Sequence, residues 1–174
     1  KRQLIGTSPV SVNQGATYTD ANATATDNVD GVITANIVTN NTVNTAVAGT
    51  YTVTYTVSDA AGNAATPVVR TVNVLDTQVP VITITGATTV SVNQGATYTD
   101  AGATAQDNVD GNITANITAT STVDTSAAGT YTVTYNVSDA AGNAATPVVR
   151  TVNVLDTEAP VITLVGTSPF SINQ

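Results

Sequence analysis

The sequence predicts an all-β chain of tandem antiparallel β-sandwiches with Greek-key connections, each of about 80 residues. Three observations carry this. Ser11 to Ala21 recurs unchanged at Ser91 to Ala101, and Val57 to Thr77 recurs at Val137 to Thr157, so the period is 80 residues. A period this long marks an array of small domains, so the working unit is the repeat and its junction. Within a repeat, apolar residues alternate strictly with Thr, and turn signals return about every ten residues with no helical periodicity.

The elements follow in order. Ile82 and Ile84 alternate with Thr as a first strand, and Val90 and Val92 mark a second. Asn93-Gln-Gly95 closes a turn ahead of a strand containing Tyr98, and Asp107-Asn-Val-Asp-Gly111 forms the next turn. Ile113, Ala115 and Ile117 then alternate with Thr114 and Asn116 as a further strand. Thr50 to Ser58 places Tyr51, Val53, Tyr55 and Val57 on one face and Thr on the other, the signature of a half-buried strand. Ser58-Asp-Ala-Ala-Gly-Asn63 is a turn-rich hairpin connection. Val68 to Leu75 closes the repeat, with Val68, Arg70, Val72 and Val74 on one parity and Val69 and Leu75 on the other. Apolar residues on both faces suggest a partly covered strand or a bulge. Pro67 sits near its start, where proline is tolerated. Residues 1–77 thus form repeat one and 78–157 repeat two. Residues 158–174 are the first strands of a truncated third, because Pro160-Val-Ile-Thr-Leu-Val-Gly166 answers Pro80-Val-Ile-Thr-Ile-Thr-Gly86.

Composition narrows the function. Twelve Asp and Glu against four Lys and Arg give a formal charge of −8. A binder of phosphate backbones needs a basic stripe, so nucleic acid is not an expected partner. No run of about 18 apolar residues exists to insert into a membrane. With no His and no Cys, the usual general base, thiol nucleophile and zinc site are missing, and no enzyme is expected. The absence of Cys also removes the usual staple of small secreted domains, which leaves bound metal as the other common aid.

Together, Pro-Val-Ile-Thr, Gly-x-x-Tyr-x-Asp, Asp-Asn-Val-Asp-Gly-x-Ile-Thr, Gly-Thr-Tyr-Thr-Val-x-Tyr-x-Val-Ser-Asp-Ala-Ala-Gly-Asn and Arg-Thr-Val-x-Val resemble the bacterial immunoglobulin-like surface repeat. That family is similar to hyalin-type repeats and occurs in tandem in large adhesins and in secreted multidomain enzymes. The resemblance covers both full repeats and the start of the third. It implies immunoglobulin-like sandwiches in a bacterial extracellular or cell-surface protein, without fixing a ligand. The pattern departs at the start, where Lys1-Arg-Gln3 stands in place of Ala159-Pro-Val161, which puts the first strand of repeat one in doubt.

In such a sandwich the turn at 107–111 and the hairpin at 139–143 lie at the end that receives the incoming chain. Asp76, Asp107, Asp110, Asp139 and Asn143 should therefore converge on the junction, with Asp27, Asp30, Asp59 and Asn63 as a weaker equivalent lacking its incoming Asp. Calcium takes six to eight oxygen ligands, and extracellular modules bind it at about 10⁻⁴ to 10⁻³ M, so Ca²⁺ is the expected cofactor. The competing account is turn chemistry alone, since Asp and Asn cap nearby backbone amides. A second expectation is a structural ion pair in each repeat, Asp20 with Arg70 and Asp100 with Arg150, against a simply solvated arginine.

The function expected is a non-catalytic spacer or stalk, its partners being neighbouring repeats of the same chain. One alternative is a carbohydrate- or protein-binding module using Tyr18 and Tyr98 as stacking residues, against a role covering the edge of the core with their hydroxyls in water. Another is a fibre subunit in which residues 161–174 add a strand to another copy.

Overall fold

The structure, a computed structural model, describes residues 1–166. Repeat one holds β1 (Arg2–Leu4), β2 (Val10–Asn13), β3 (Ala23–Asp27), β4 (Gly31–Val32), β5 (Val38–Asn41), β6 (Gly49–Thr56) and β7 (Val68–Leu75). One sheet runs β1-β3-β4 and the facing sheet β2-β7-β6-β5. Repeat two reproduces both with β8 (Val81–Ile84), β9 (Thr89–Asn93), β10 (Ala103–Asp107), β11 (Gly111–Asn112), β12 (Thr118–Ser121), β13 (Gly129–Asn136) and β14 (Val148–Leu155). Its sheets run β8-β10-β11 and β9-β14-β13-β12. Both repeats are immunoglobulin-like sandwiches.

The long strands obey the alternation. On β6 Val53 and Tyr55 are buried, and their counterparts Val133 and Tyr135 on β13 form the centre of repeat two. On β7 and β14 the parity of Val72, Val74 and Arg70 turns inward, while Val69 and Leu75 face out. β7 pairs with β6 in unbroken register from Val68↔Tyr55 to Val74↔Gly49, so the strand carries no bulge.

Four expectations are corrected. The sandwich is not purely antiparallel: β2 runs parallel to β7, with Val10↔Val72 and Val12↔Val74, and β9 runs parallel to β14. The chain leaves one sheet after β1, turns at Gly6 (φ +81°) and joins the other sheet in the same direction, which covers that sheet's edge. Secondly, Tyr98 lies in an extended connection outside any strand.

Thirdly, the stretch at Ile113 to Ile117 is a 3₁₀ turn at Thr114–Asn116, and Thr34–Asn36 matches it in repeat one. Asn112 Oδ1 accepts from the Thr114 amide at 3.0 Å, and Thr114 Oγ1 accepts from the buried Ala105 amide at 2.9 Å. Thr34 Oγ1 makes the same bond to the Ala25 amide at 3.0 Å, and this threonine bond, present in both repeats, outcompetes a strand ladder even where Val32 stands in place of Asn112. Fourthly, the first strand of repeat one does form. β1 pairs with β3 through Arg2↔Ala25 and Leu4↔Ala23, the register in which β8 sets Ile82↔Ala105 and Ile84↔Ala103. Lys1-Arg-Gln3 therefore corresponds to Val81-Ile82-Thr83, and the exposed Arg2 takes the place of the buried Ile82.

Residues 158–166 form no strand. The rest of the expected strand-adding segment, 167–174, lies outside the described residues. Among the described residues no helix is long and apolar enough to cross a membrane.

Candidate metal centre at the junction between repeats

Repeat one hands over to repeat two through Asp76 to Pro80, which follows β7 directly. Asp76 folds its own exit, its Oδ1 accepting from the Gln78 amide at 3.0 Å. The linker then rests on the end of repeat two formed by the 107–111 turn and the 139–143 hairpin. Pro80 is buried there, whereas Pro160 is exposed. Asn143 Nδ2 reaches the Asp76 carbonyl at 3.4 Å, and Asn108 Nδ2 donates to Gln14 Oε1 at 3.3 Å.

At this joint one carboxylate oxygen each from Asp76, Asp107 and Asp139 lies within 4.8 Å of the others. Local chemistry sets each position. Asp107 Oδ1 accepts from the amides of Val109 at 2.8 Å and Asp110 at 2.9 Å, closing the turn ahead of Gly111. The Asp110 amide, with help from Val109, holds the Asp107 carboxyl below its ordinary pKa despite burial. Its other oxygen, Oδ2, is buried and has no hydrogen-bond donor. Asp139, 7% exposed, accepts from the Asn143 amide at 2.7 Å and from Asn143 Nδ2 at 2.8 Å.

The structure does not bring every expected ligand into this cluster. Asp110 Oδ2 instead accepts from the Ala140 amide at 2.6 Å, stitching the turn to the hairpin. Asn143 takes part as a donor that orients Asp139 and holds the linker. In repeat one Asp30 makes the same stitch to Ala60 at 2.8 Å, and Asn63 donates to Asp59 at 2.7 Å. The Asn63 side chain depresses the Asp59 pKa, and the amides of Val29 and Asp30 depress that of Asp27. No linker carboxylate joins Asp27 and Asp59, and among the described residues the three-carboxylate cluster occurs only at the junction.

The second set of expected residues meets in the middle of each sandwich. Arg150, on β14, is 1% exposed and donates from Nη1 to Asp100 Oδ1 at 2.5 Å. Its Nη2 donates to the carbonyls of Thr85 at 2.5 Å and Gly102 at 3.2 Å, so one guanidinium ties both sheets together. In repeat one Arg70 Nε is 3.2 Å from Asp20 Oδ1, an ion-pair distance lying off the hydrogen-bond direction. Its Nη2 donates to the Ile5 and Asn22 carbonyls.

The tyrosines were the part that sequence reasoning missed. Tyr98 Oη donates to Asp100 Oδ1 at 2.8 Å and Tyr135 Oη to Oδ2 at 2.6 Å. Tyr18 and Tyr55 serve Asp20 in the same way. Tyr18 and Tyr98 pack against the core, as the edge-covering account expects, but their hydroxyls meet a carboxylate instead of water. The available signal was Tyr-Thr-Asp, which places hydroxyl and carboxylate two residues apart. Burial opposes the Asp20 and Asp100 charges, yet the tyrosine hydroxyls and the arginine more than offset it and hold both pKa values low. Burial first, then the carboxylate, pushes Tyr18, Tyr55 and Tyr135 up to about 12.

A family model described as "Bacterial surface protein, Ig-like domain" matches residues 2–74 and again 82–154. Among curated proteins nothing matches. Among solved structures the chain is similar to a lipoprotein from Bacteroides thetaiotaomicron, at 13% identity and a TM-score of 0.39 over 86% of this chain and 98% of that one. It is also similar to a Clostridium perfringens ZmpB structure containing the M60 catalytic domain with two CBM51 domains. There the values are 13% and 0.38 over 87% of this chain and 30% of that one.

Proposed function

The chain belongs to the Ig-like domain family of bacterial surface proteins, and from that premise we propose that it is a non-catalytic spacer of an extracellular or cell-surface protein, stiffened at its joint by calcium. The observation that carries the calcium reading is Asp107 Oδ2, a buried oxygen without a donor among three carboxylates, one from the linker and two from repeat two. Three like charges this close repel, and an orphaned buried oxygen costs about 1–3 kcal/mol, more when charged. A divalent cation relieves both. Its oxygen ligands stand 2.3–2.6 Å from calcium, hence no more than about 5 Å apart, and the spacing of the cluster fits that.

Asp76, Asp107 and Asp139 would hold the ion, and Asn143 and Asp110 would keep the hairpin in place around it. Asp76 belongs to the linker while the other two belong to repeat two, so binding fastens one repeat to the next. That is a mechanical role, suited to a stalk.

Small-angle X-ray scattering in millimolar calcium and in excess EGTA tests it. The expected result is a longer, stiffer particle with calcium, an effect lost in Asp107→Asn. Identical profiles in both buffers would leave these residues as turn formers and remove calcium from the reading.

A further inference from the structure

Repeat two is entered and left at opposite ends, yet the strands that follow the entry and precede the exit are bonded to each other. The arriving chain meets the end formed by the 107–111 turn and the 139–143 hairpin, and β14 starts beside it at Val148 and runs to the exit at Leu155. β9 runs the same way, in parallel register from Thr89↔Thr151 to Asn93↔Leu155. A backbone bond closes each end of this ladder. The Thr151 amide donates to the Thr88 carbonyl at 2.9 Å, and the Gln94 amide donates to the Leu155 carbonyl at 2.8 Å. Because backbone groups alternate in direction along a strand, these two bonds turn the amides of Val90 and Val92 toward β14 and that of Ser91 toward the open edge of the sheet.

Just upstream of the ladder, the buried Arg150 of β14 donates to the Thr85 carbonyl in the crossover between β8 and β9. The incoming chain is thus tied to the exit strand by a guanidinium as well as by backbone. Repeat one follows the same scheme over four pairs, Val10↔Val72 to Asn13↔Leu75, with the Gln14 amide on the Leu75 carbonyl and Arg70 on the Ile5 carbonyl. Tension along the chain pulls β9 toward the entry and β14 toward the exit. The two strands are then driven past each other along their own axes, and every bond between them carries load at once. Pulling the same strands apart from one end would load a single bond at a time.

We propose that the parallel pair β9–β14, with β2–β7 in repeat one, is a load-bearing clamp, so that each repeat resists being pulled open along the chain. This rests on the spacer reading and deepens it: the joint sets how stiff the stalk is, and the clamp sets how much pull it survives. Forced unfolding is governed by the unfolding rate. Sheared bonds fail together within a short displacement, so a given force does little work on the way to the barrier and accelerates unfolding only weakly. The clamp is built from backbone and a buried arginine and does not need the junction cation.

Single-molecule force spectroscopy of the whole chain in EGTA tests it, with pairs of cysteine substitutions as handles in a chain that has no cysteine of its own. Thr77→Cys with Thr157→Cys loads repeat two along the chain, whereas Ala96→Cys with Thr157→Cys pulls β9 and β14 apart from their shared end; all three positions are exposed. A several-fold higher rupture force is expected for the first pair. Val92→Pro, which deletes one ladder amide, should lower the force along the chain. Ser91→Pro, whose amide faces the open edge, should leave it unchanged. Equal forces in the two directions overturn the proposal, and that comparison leaves the ladder intact, so it stands even where Val92→Pro prevents folding. A force that Val92→Pro does not lower, or that Ser91→Pro lowers as much, overturns it as well. Equal forces would leave the spacer and its calcium joint standing, while identical scattering profiles in calcium and EGTA would leave the clamp standing, so the two readings fail independently.

Discussion

Arg70 and Arg150 sit where an immunoglobulin-like sandwich needs something to tie its sheets, and no cysteine is available for the task. Each guanidinium reaches an Asp and two backbone carbonyls from the facing sheet's connections. Replacing such a pair with apolar residues is often harmless, but removing one partner strands a buried charge. Asp20→Ala should therefore destabilise repeat one by about 3 kcal/mol, read as a lower urea midpoint; an unchanged midpoint would mean Arg70 finds other partners. The tyrosines add a pH limit at the alkaline end. With Tyr18, Tyr55 and Tyr135 raised to about 12, the folded state holds their protons more tightly than the unfolded chain does. Their contribution is complete below pH 10 and disappears as pH rises from 10 through 12. Asp20 and Asp100 behave oppositely, since their lowered values stabilise above about pH 4 and that support is lost on further acidification. Alkaline titration followed by near-ultraviolet circular dichroism should show ionisation of Tyr18, Tyr55 and Tyr135 coinciding with unfolding. Ionisation of Tyr18, Tyr55 or Tyr135 near pH 10 in a folded chain would contradict the network.

The elements differ in how openly the sequence declares them. β6, β7 and their copies were legible because alternation, β-branched side chains and eight-residue length all agree. The 3₁₀ turns were not, because Ile113 and Ile117 are spaced as strand residues while the deciding bond, shared by both repeats, comes from the hydroxyl of Thr34 or Thr114. Parallel pairing of β2 with β7 joins residues about 60 apart, such as Val10 and Val72, and local pattern is silent on that. At the junction, Asp107 and Asp139 were legible as turn residues that topology must gather at one end. Asp110 has the same residue type and neighbourhood, and only the structure shows its oxygen committed to Ala140. Thr114→Val tests the turn directly. It is close to isosteric and removes the hydroxyl oxygen that accepts from the Ala105 amide. A loss of about 1–3 kcal/mol in repeat two is expected from chemical denaturation. A loss under half of that would show that the turn is held by its own backbone bonds.

At the scale of the whole molecule, two nearly identical sequences are placed in unequal surroundings. Repeat two buries Ile82, Ile113, Val137 and Ala145 beneath or beside the arriving linker, whereas the corresponding Arg2 is exposed and Ile33, Val57 and Ala65 are half-buried in repeat one. Burying one more large aliphatic side chain contributes about 1.5–3 kcal/mol. The repeats should therefore unfold in two steps, repeat one first, although their strands match. Calcium makes the inequality larger in one direction, because Asp107 and Asp139 belong to repeat two and Asp76 only to its linker. At 10 mM calcium and a dissociation constant of about 1 mM, the folded state gains about 1.4 kcal/mol. Differential scanning calorimetry in EGTA should show two transitions, and adding calcium should move the upper one by several degrees while leaving the lower nearly fixed. Asp107→Asn should return the upper transition to its EGTA position. If calcium raises both transitions equally, binding is not confined to the junction, and if it raises neither, the carboxylates hold no ion there. A shift in the lower transition alone would place the stronger site at Asp27 and Asp59, reversing the order that the linker carboxylate imposes.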